Sequence, residues 1–150
     1  MKITVLAENT AVSPEYFYEH GLSLYIETNH HKILFDMGQS DVYRKNAEKL
    51  NIDLKAVDIA VISHGHYDHG GGLSDFLKIN TTAPVYISDK AFGEHYNGTE
   101  KYIGLDKSLI KSSRLVFNKD SLIIDDELSL FCFNNEKSKA PSNSLSLMPG

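Results

Sequence analysis

The sequence is poor in cysteine and in long apolar runs, and both absences narrow the class of protein. Its 150 residues contain one cysteine, Cys132, which excludes an internal disulfide and fits a reducing compartment, so we expect a cytoplasmic protein. In FCFN this cysteine alternates with Phe131 and Phe133, a pattern typical of a small strand residue rather than a reactive thiol. No apolar run approaches the ~20 residues of a membrane-spanning helix, and MKITVLAENT lacks the apolar region of a secretion signal. We therefore expect neither export nor a membrane anchor.

Clusters of basic residues are also missing. The chain has 15 Lys and Arg against 20 Asp and Glu, a formal net charge of -5, and its basic residues are scattered. Binding to a nucleic-acid backbone needs a basic patch, so we expect no nucleic-acid partner. Apolar residues make up 41% and charged residues 23% of the chain, which is ordinary for a folded protein, and this length suits one domain with a buried core.

Strands alternate with helices along the sequence, which predicts a mixed α/β fold with layers of sheet and helix. Three β-rich runs open the chain and are expected to be antiparallel neighbours. They span residues 3–7, 22–27 and 32–36. Ser40 then precedes the helix-forming segment DVYRKNAEKL and is its expected N-cap. The residues expected on the buried side of this helix are Val42, Ala47 and Leu50.

A second group of elements follows. The continuously apolar run Ile59–Ile62 predicts a strand buried on both faces, and it stops at Ser63. Glycines at positions 65, 70, 71 and 72 indicate a tight loop. LSDFLK predicts a short helix, PVYIS a further strand, and residues 91–96 a helical turn. Further strand-like segments lie at residues 115–117, 122–124 and 128–133.

Three histidines and one aspartate fall within six residues directly after the buried run. They are His64, His66, Asp68 and His69, in the segment HGHYDHGGG. Imidazole and carboxylate are ligands for zinc and similar divalent ions, and flanking glycines let the backbone fold tightly enough for such side chains to converge. At this spacing His64 and His66 can share one metal while Asp68 and His69 face a second. A solvated histidine-rich loop is the alternative, and the density of ligand-type residues argues against it.

Four other histidines stand in polar surroundings and are expected to be surface residues rather than ligands. They are His20, His30, His31 and His95. His20, which precedes Gly21 at the start of a predicted strand, is the one to compare with the motif.

The segment VISHGHYDHGGG resembles the HxHxDH signature of the metallo-β-lactamase fold superfamily, and KILFDMG, which contains Asp36, resembles the strand that precedes it there. AENT, EHGLSLYIET, FDMGQS and SLMPG are similar to the dihydropterin phosphate synthase-like branch of metal-dependent hydrolases. The likeness covers most of the chain and is strongest over residues 1–73. It implies the αββα sandwich of that superfamily, of which this chain resembles only the N-terminal half plus an extension. Residues 1–150 would then form a single, incomplete domain.

The resemblance also implies two divalent metal ions, zinc above all, with iron or manganese as alternatives. By position, His64 and His66 bind the first ion, Asp68 and His69 the second, and Asp36 acts from beside the ligands. His66 favours hydrolytic zinc chemistry, because flavodiiron oxidoreductases of this fold usually have Glu there. The implied enzyme is a hydrolase that uses a metal-bound hydroxide on a phosphate or carbonyl centre of a small-molecule substrate, with Asp68 as the catalytic residue that orients this nucleophile.

Part of the family pattern is absent. The superfamily completes its site with a histidine in a Gly-Cys-Ser-His segment, a later bridging ligand and a last histidine, whereas here no histidine follows His95 and Cys132 precedes Phe133. A catalytic zinc normally has three protein ligands, so each metal is short of ligands. A half-sandwich would also leave an apolar sheet face open, so a chain of this length is expected to form a homo-oligomer, most simply a two-fold dimer.

Three origins remain open for such a chain: a shortened form of a longer protein, a natural half-length product, or a subunit whose site another chain completes. Two functions remain open as well. The first is a metal-dependent hydrolase, which the motif favours. The second is a truncated, inactive metal-binding or oligomerising remnant, which the absent ligands favour.

Overall fold

A six-stranded mixed sheet organises residues 1–131, the part of the chain that this computed structural model describes. Its strands are β1 (Lys2–Ala7), β2 (Ser23–Glu27), β3 (Lys32–Phe35), β4 (Ile59–Ile62), β5 (Val85–Ser88) and β8 (Leu115–Asn118). They lie side by side in the order β1-β2-β3-β4-β5-β8. The first three pair antiparallel, as predicted, and β3, β4, β5 and β8 pair in parallel. The α/β class expected from the sequence is confirmed.

Smaller elements connect and flank the sheet. The α-helices are α1 (Val42–Lys49), α2 (Tyr67–Gly70) and α3 (Leu73–Ile79), and 3-10 turns cover Leu54–Ala56 and Lys107–Lys111. Two hairpins are formed by β6 (Tyr96–Asn97) with β7 (Lys101–Tyr102), and by β9 (Leu122–Ile123) with β10 (Ser129–Leu130). No helix within residues 1–131 is long and apolar enough to cross a bilayer. Cys132 and Phe133, expected to continue the last strand, lie outside the described residues.

The helical turn expected over residues 91–96 was wrong. The amides of Ala91 and Gly93 bond to the carbonyls three residues earlier, at Ser88 and Lys90, which makes two successive turns. Tyr96 then begins β6. The isolated turns stop because Gly93 is followed by a segment whose backbone pairs across the hairpin instead of continuing a helix.

Helix α1 buries Ala47, as predicted, but the rest of its buried side differs from the prediction. Its buried residues are Tyr43, Asn46 and Ala47. Val42 and Leu50 are only partly buried against the core. Polar Asn46 tolerates burial because its amide nitrogen donates to the carbonyl oxygens of Leu6 and Phe17, both at 2.8 Å. The helix is therefore fixed to β1 by a polar anchor that apolar periodicity does not reveal.

The start of α1 also differs from the prediction. Asp41 occupies the N-cap position, and its own side chain makes no capping hydrogen bond. The Ser40 hydroxyl instead donates to Glu19 Oε2 at 2.5 Å. Glu19 is only 9% exposed, and its other oxygen accepts the backbone amides of Gln39 and Ser40. The Ser40 hydroxyl oxygen also accepts the Val42 amide, at 3.4 Å, so Ser40 still contacts the first residue of α1 although it stands one position before the N-cap.

Strand β4 lies at the centre of the sheet and all four of its residues are buried, as its apolar sequence predicted. One face of the sheet packs against α1 and α3, with Leu34, Tyr43 and Phe76 in the core. Since β3 and β4 are parallel, their carboxyl ends meet at the same sheet edge. Asp36 follows one strand and His64 follows the other, so the fold itself places these two side chains together.

The second face of the sheet is partly covered, where an open face was expected. Ile33, Ile59 and Val61 form a buried cluster on it, and Leu128 and Leu130 of the β9–β10 hairpin pack against them. The cover exists because the chain turns back after β8. It leaves an apolar cavity of about 410 Å³ between the sheet and the hairpin.

Candidate metal centre

The predicted metal loop starts at the end of β4 and contains one turn of helix, which the sequence analysis treated as irregular loop. His66 is the residue that precedes α2, with an extended backbone at φ -91° and ψ 149°. Asp68 and His69 lie on the helix itself. Asp68 and His69 therefore project from consecutive positions of the helical turn, while His64 projects from the end of β4.

Three of the four predicted ligands converge. One donor atom each from His64, Asp68 and His69 lie within 4.8 Å of one another, and all three residues are half-buried. His66 is not in this group, although its ring centroid lies 4.7 Å from that of His64 and 5.2 Å from that of His95. The expected pairing of His64 with His66 thus differs from the observed grouping of His64 with Asp68 and His69. Whether any of the four binds a metal stays a prediction.

Asp36 lies beneath the ligands and is completely buried. Its backbone turns out of β3 with φ 57°, which directs the carboxylate toward the end of β4. Oδ1 accepts the Ser63 amide at 2.7 Å, and Oδ2 accepts the Ser63 hydroxyl and His69 Nδ1, each at 2.7 Å. The predicted place of Asp36 beside the ligands agrees with this geometry. Ser63 was not singled out from the sequence, since a serine at a strand end carries no distinctive signal.

The hydrogen bonds around Asp36 and Ser63 indicate which ring nitrogen of His64 and of His69 carries the proton. Ser63 Oγ lies 2.9 Å from His64 Nδ1 and has one proton, which it gives to Asp36. His64 Nδ1 must then carry a proton and donate to Ser63, and His69 Nδ1 likewise donates to the Asp36 carboxylate. In both rings the Nε2 lone pair remains for another partner. A carboxylate that holds the far nitrogen of a histidine in this way is the usual support of a metal-binding imidazole.

The protonation equilibria of the three histidines differ. Burial, together with the neighbouring His69 and His66, lowers the pKa of His64 to about 4, so this ring is neutral at neutral pH. Burial and nearby His95 lower the pKa of His66 as well. Burial also acts to lower the pKa of His69, but the hydrogen bond and charge of Asp36 outweigh it, and the net pKa lies above its ordinary value. A metal binds the neutral ring, so it must compete with a proton at His69.

Backbone contacts fix the position of the helical turn. The Met37 amide donates to the carbonyl oxygen of His69 at 2.7 Å, and the Leu22 amide to that of Asp68 at 3.2 Å. Gly21 lies so close that a Cβ there would be 2.1 Å from the Asp68 carbonyl oxygen, and its φ is +138°. Glycine is required at position 21 for both reasons. Leu22, just before β2, and Met37, just after β3, therefore fix the position of α2 through backbone hydrogen bonds.

The four other histidines fall into two pairs. His20 and His95 lie beside the candidate centre: His20 Nε2 is 3.3 Å from Asp68 Oδ2, and the His95 ring is next to His66. His30 is exposed, as expected, with its side chain 70% accessible. His31 was expected at the surface, but its side chain is only 15% accessible because it bonds Asp125 Oδ2 of the covering hairpin at 2.5 Å.

The donor set fits a zinc-like ion. Zinc takes imidazole nitrogen and carboxylate oxygen at about 2.0–2.2 Å, so two donors of one tetrahedral ion are about 3.3–3.6 Å apart. His69 Nε2 and Asp68 Oδ2 are 3.6 Å apart. The His69 nitrogen beside Asp68 is Nε2, which carries no proton when Nδ1 donates to Asp36.

Comparison with known proteins agrees with this fold. A family profile described as the metallo-beta-lactamase superfamily matches residues 18–134, so the chain belongs to this superfamily. A solved structure described as Tm1679, a metal-dependent hydrolase of the beta-lactamase superfamily, is 34% identical and has a TM-score of 0.74, covering 93% of this chain and 51% of that chain. The fold implied by the sequence resemblance is confirmed.

Two relatives from Methanocaldococcus jannaschii bear on the branch. Uncharacterized protein MJ0448 is 34% identical over 131 residues, which cover 84% of this chain and 50% of that protein. A 7,8-dihydropterin-6-methyl-4-(beta-D-ribofuranosyl)-aminobenzene-5'-phosphate synthase is 35% identical over 99 residues, which cover 61% of this chain and 34% of that enzyme. The resemblance to the dihydropterin phosphate synthase-like branch is confirmed. The chain spans about half or less of the length of the relatives it matches.

Proposed function

We propose that this chain is the metal-binding part of a metal-dependent hydrolase that acts on a phosphate or carbonyl centre of a small molecule. The observation that carries the proposal is the convergence of His64, Asp68 and His69 above a buried carboxylate network. That network leaves a ligand nitrogen available on each imidazole. The relationship to a metal-dependent hydrolase that is 34% identical supports the reaction class. We propose zinc as the ion, with iron and manganese as alternatives, because two imidazoles and a carboxylate are a common catalytic zinc donor set.

Each residue has a distinct part in this proposal. A divalent ion bound here would supply a Lewis acid that acidifies water and polarises the bond to be cleaved. His64 and His69 would hold it through Nε2, while Asp36 and Ser63 keep both rings in orientation. Asp68, whose side chain is 15% accessible, would bind the ion through a carboxylate oxygen and orient the attacking water. His66 would bind a second ion or contact substrate from the next position along the loop.

The alternative is a metal-binding or oligomerising remnant that does not turn over substrate. The observation that favours it is that, within residues 1–131, only His64, Asp68 and His69 converge, while His66 is outside their group. Binding of metal and catalysis are separable, so one set of measurements distinguishes the two functions.

The test uses metal-stripped chain reloaded with Zn²⁺ and assayed on bis(p-nitrophenyl) phosphate and p-nitrophenyl acetate. We expect metal-dependent hydrolysis of one of them, lowered about 10²-fold or more by Asp68→Asn and by His64→Ala. His30→Ala is the matched control, because His30 also pairs with a carboxylate but lies away from the site. Metal binding without turnover would favour the metal-binding remnant, and absence of metal binding would refute the hydrolase and leave only the oligomerising remnant.

A further inference from the structure

One exposed histidine outside the motif lies against the candidate metal centre. His20 Nε2 is 3.3 Å from Asp68 Oδ2, with 68% of the His20 side chain and 15% of the Asp68 side chain accessible. The two residues are separated by 47 others in the sequence, so only the fold brings them together. An exposed ion pair of this kind contributes about 0–1 kcal/mol to stability, so folding alone gives little reason for the contact.

The backbone that carries His20 is fixed on both sides. Glu19 is buried and accepts two backbone amides and a hydroxyl from the loop that follows β3. Gly21 touches the Asp68 backbone so closely that no side chain fits there, and the Leu22 amide bonds to the Asp68 carbonyl oxygen. His20 is therefore held at the Asp68 turn, while its ring remains free to rotate in solvent.

The separation of the two polar atoms suits shared metal ligation. Hydrogen bonds between a charged donor and a carboxylate are about 2.7–2.9 Å long, shorter than the contact observed here. Two donors of one tetrahedral zinc are about 3.3–3.6 Å apart. Asp68 Oδ2 lies 3.3 Å from His20 Nε2 and 3.6 Å from His69 Nε2, so both imidazoles stand at ligand-to-ligand distances from one carboxylate oxygen.

We propose that His20 is a metal ligand of this chain, binding an ion that it shares with Asp68. The inference rests on the proposed metal site. The donors within 4.8 Å of one another belong to His64, Asp68 and His69; His20 is outside this group and reaches it through its contact with Asp68. This gives the centre an imidazole from outside the HxHxDH segment, from the strand-entry loop at residues 19–22.

The test measures Zn²⁺ affinity by competition with a chromophoric chelator, and the absorption of bound Co²⁺, for the 150-residue chain and its variants. We expect His20→Ala to weaken binding of one ion at least about tenfold and to change the Co²⁺ spectrum, since a nitrogen ligand is replaced by water. The matched control is His30→Ala, because the His30 to Glu127 contact has nearly the same length, 3.4 Å, and accessibility. It should change affinity less than about twofold. Circular dichroism establishes that each variant is folded.

Each outcome decides the inference. If His20→Ala behaves like His30→Ala while His64→Ala loses metal, His20 is not a ligand and the proposed function stands. If His20→Ala weakens binding but leaves the Co²⁺ spectrum unchanged, His20 only positions Asp68, and the ligand assignment is overturned. If the unaltered chain binds neither Zn²⁺ nor Co²⁺, the proposed function and this inference fail together.

Discussion

Replacement of Asp36 by asparagine tests the proton assignment at the centre of the site. Asparagine has nearly the same size as aspartate and tolerates the backbone φ of 57° at this position, so the change is confined to the side chain. Oδ1 would still accept the Ser63 amide. At the place of Oδ2, which accepts two hydrogen bonds of 2.7 Å, the variant has an amide group with two protons to donate.

The substitution should reverse the hydrogen bonds rather than remove them. The new amide would donate to His69 Nδ1 and to Ser63 Oγ, and the Ser63 hydroxyl would turn to donate to His64 Nδ1. Both rings would then carry their proton on Nε2, where the metal is to bind. We expect Zn²⁺ affinity to fall about 10–100-fold, or about 1.4–2.7 kcal/mol, the range for loss of such supporting partners. The free energy of unfolding without metal should fall by only about 1–3 kcal/mol, because bonds weaken but partners remain.

Two measurements decide this prediction. Long-range ¹H–¹⁵N NMR correlations report which ring nitrogen is protonated, and chelator competition reports affinity. Ser63→Ala is the matched control: it disconnects His64 from Asp36 but leaves the Asp36 to His69 bond, so only the His64 ring should change. Unchanged tautomers in Asp36→Asn, or Zn²⁺ affinity within twofold of the unaltered chain, would refute the assignment.

Three further predictions concern stability and assembly. The hydrogen bond to Asp125 raises the pKa of His31, and the bond to His31 lowers that of Asp125, so the contact stabilises fully between the ordinary pKa values of 3.8 and 6.5. This stabilisation is lost as pH rises through the raised His31 pKa or falls through the lowered Asp125 pKa. The free energy of unfolding of His31→Gln, measured by denaturant titration across this pH range, should lack this pH dependence. Gly21→Ala should lower the free energy of unfolding by more than about 2 kcal/mol in denaturant titration, because its Cβ would meet the Asp68 carbonyl; a smaller loss would contradict the close contact. The chain should be a dimer by light scattering at micromolar concentration, since the hairpin covers the second sheet face only in part; a monomer would show that this cover suffices.

Most of the sheet was predictable because its signals are local. The β-rich composition of the first three strands and the unbroken apolar run at β4 are both features of a short segment, and the strand bounds agree within one residue. Helix α1 was placed correctly, but its buried side was only partly predicted, because Tyr43 and the polar Asn46 are buried beside Ala47 whereas Leu50 is only partly buried. Apolar periodicity counts Asn46 as exposed, whereas its two carbonyl partners lie on other elements.

The site was predictable where residues cluster in sequence and hidden where they meet through the fold. The composition of HGHYDHGGG alone predicts a metal site, whereas Asp36 was identified through the resemblance of its strand to one in a known family. Ser63, Glu19 and the placement of His20 depend on contacts between segments distant along the chain, which a single sequence does not display. The grouping of donors also depended on the helical turn α2, which four glycines near the motif made look irregular.

The residues that follow the β6–β7 hairpin contact the motif through backbone atoms. Gly104 forms a β-bridge with His66, and the Tyr67 amide donates to the Ile103 carbonyl oxygen at 2.9 Å. Main-chain bonds of this kind are indifferent to which side chains the hairpin carries. The side chains of this hairpin can therefore differ between related proteins while the backbone pairing with His66 and Tyr67 stays the same. An insertion that shifts the pairing of His66 with Gly104 would move His66 even though every residue of the HxHxDH motif is unchanged.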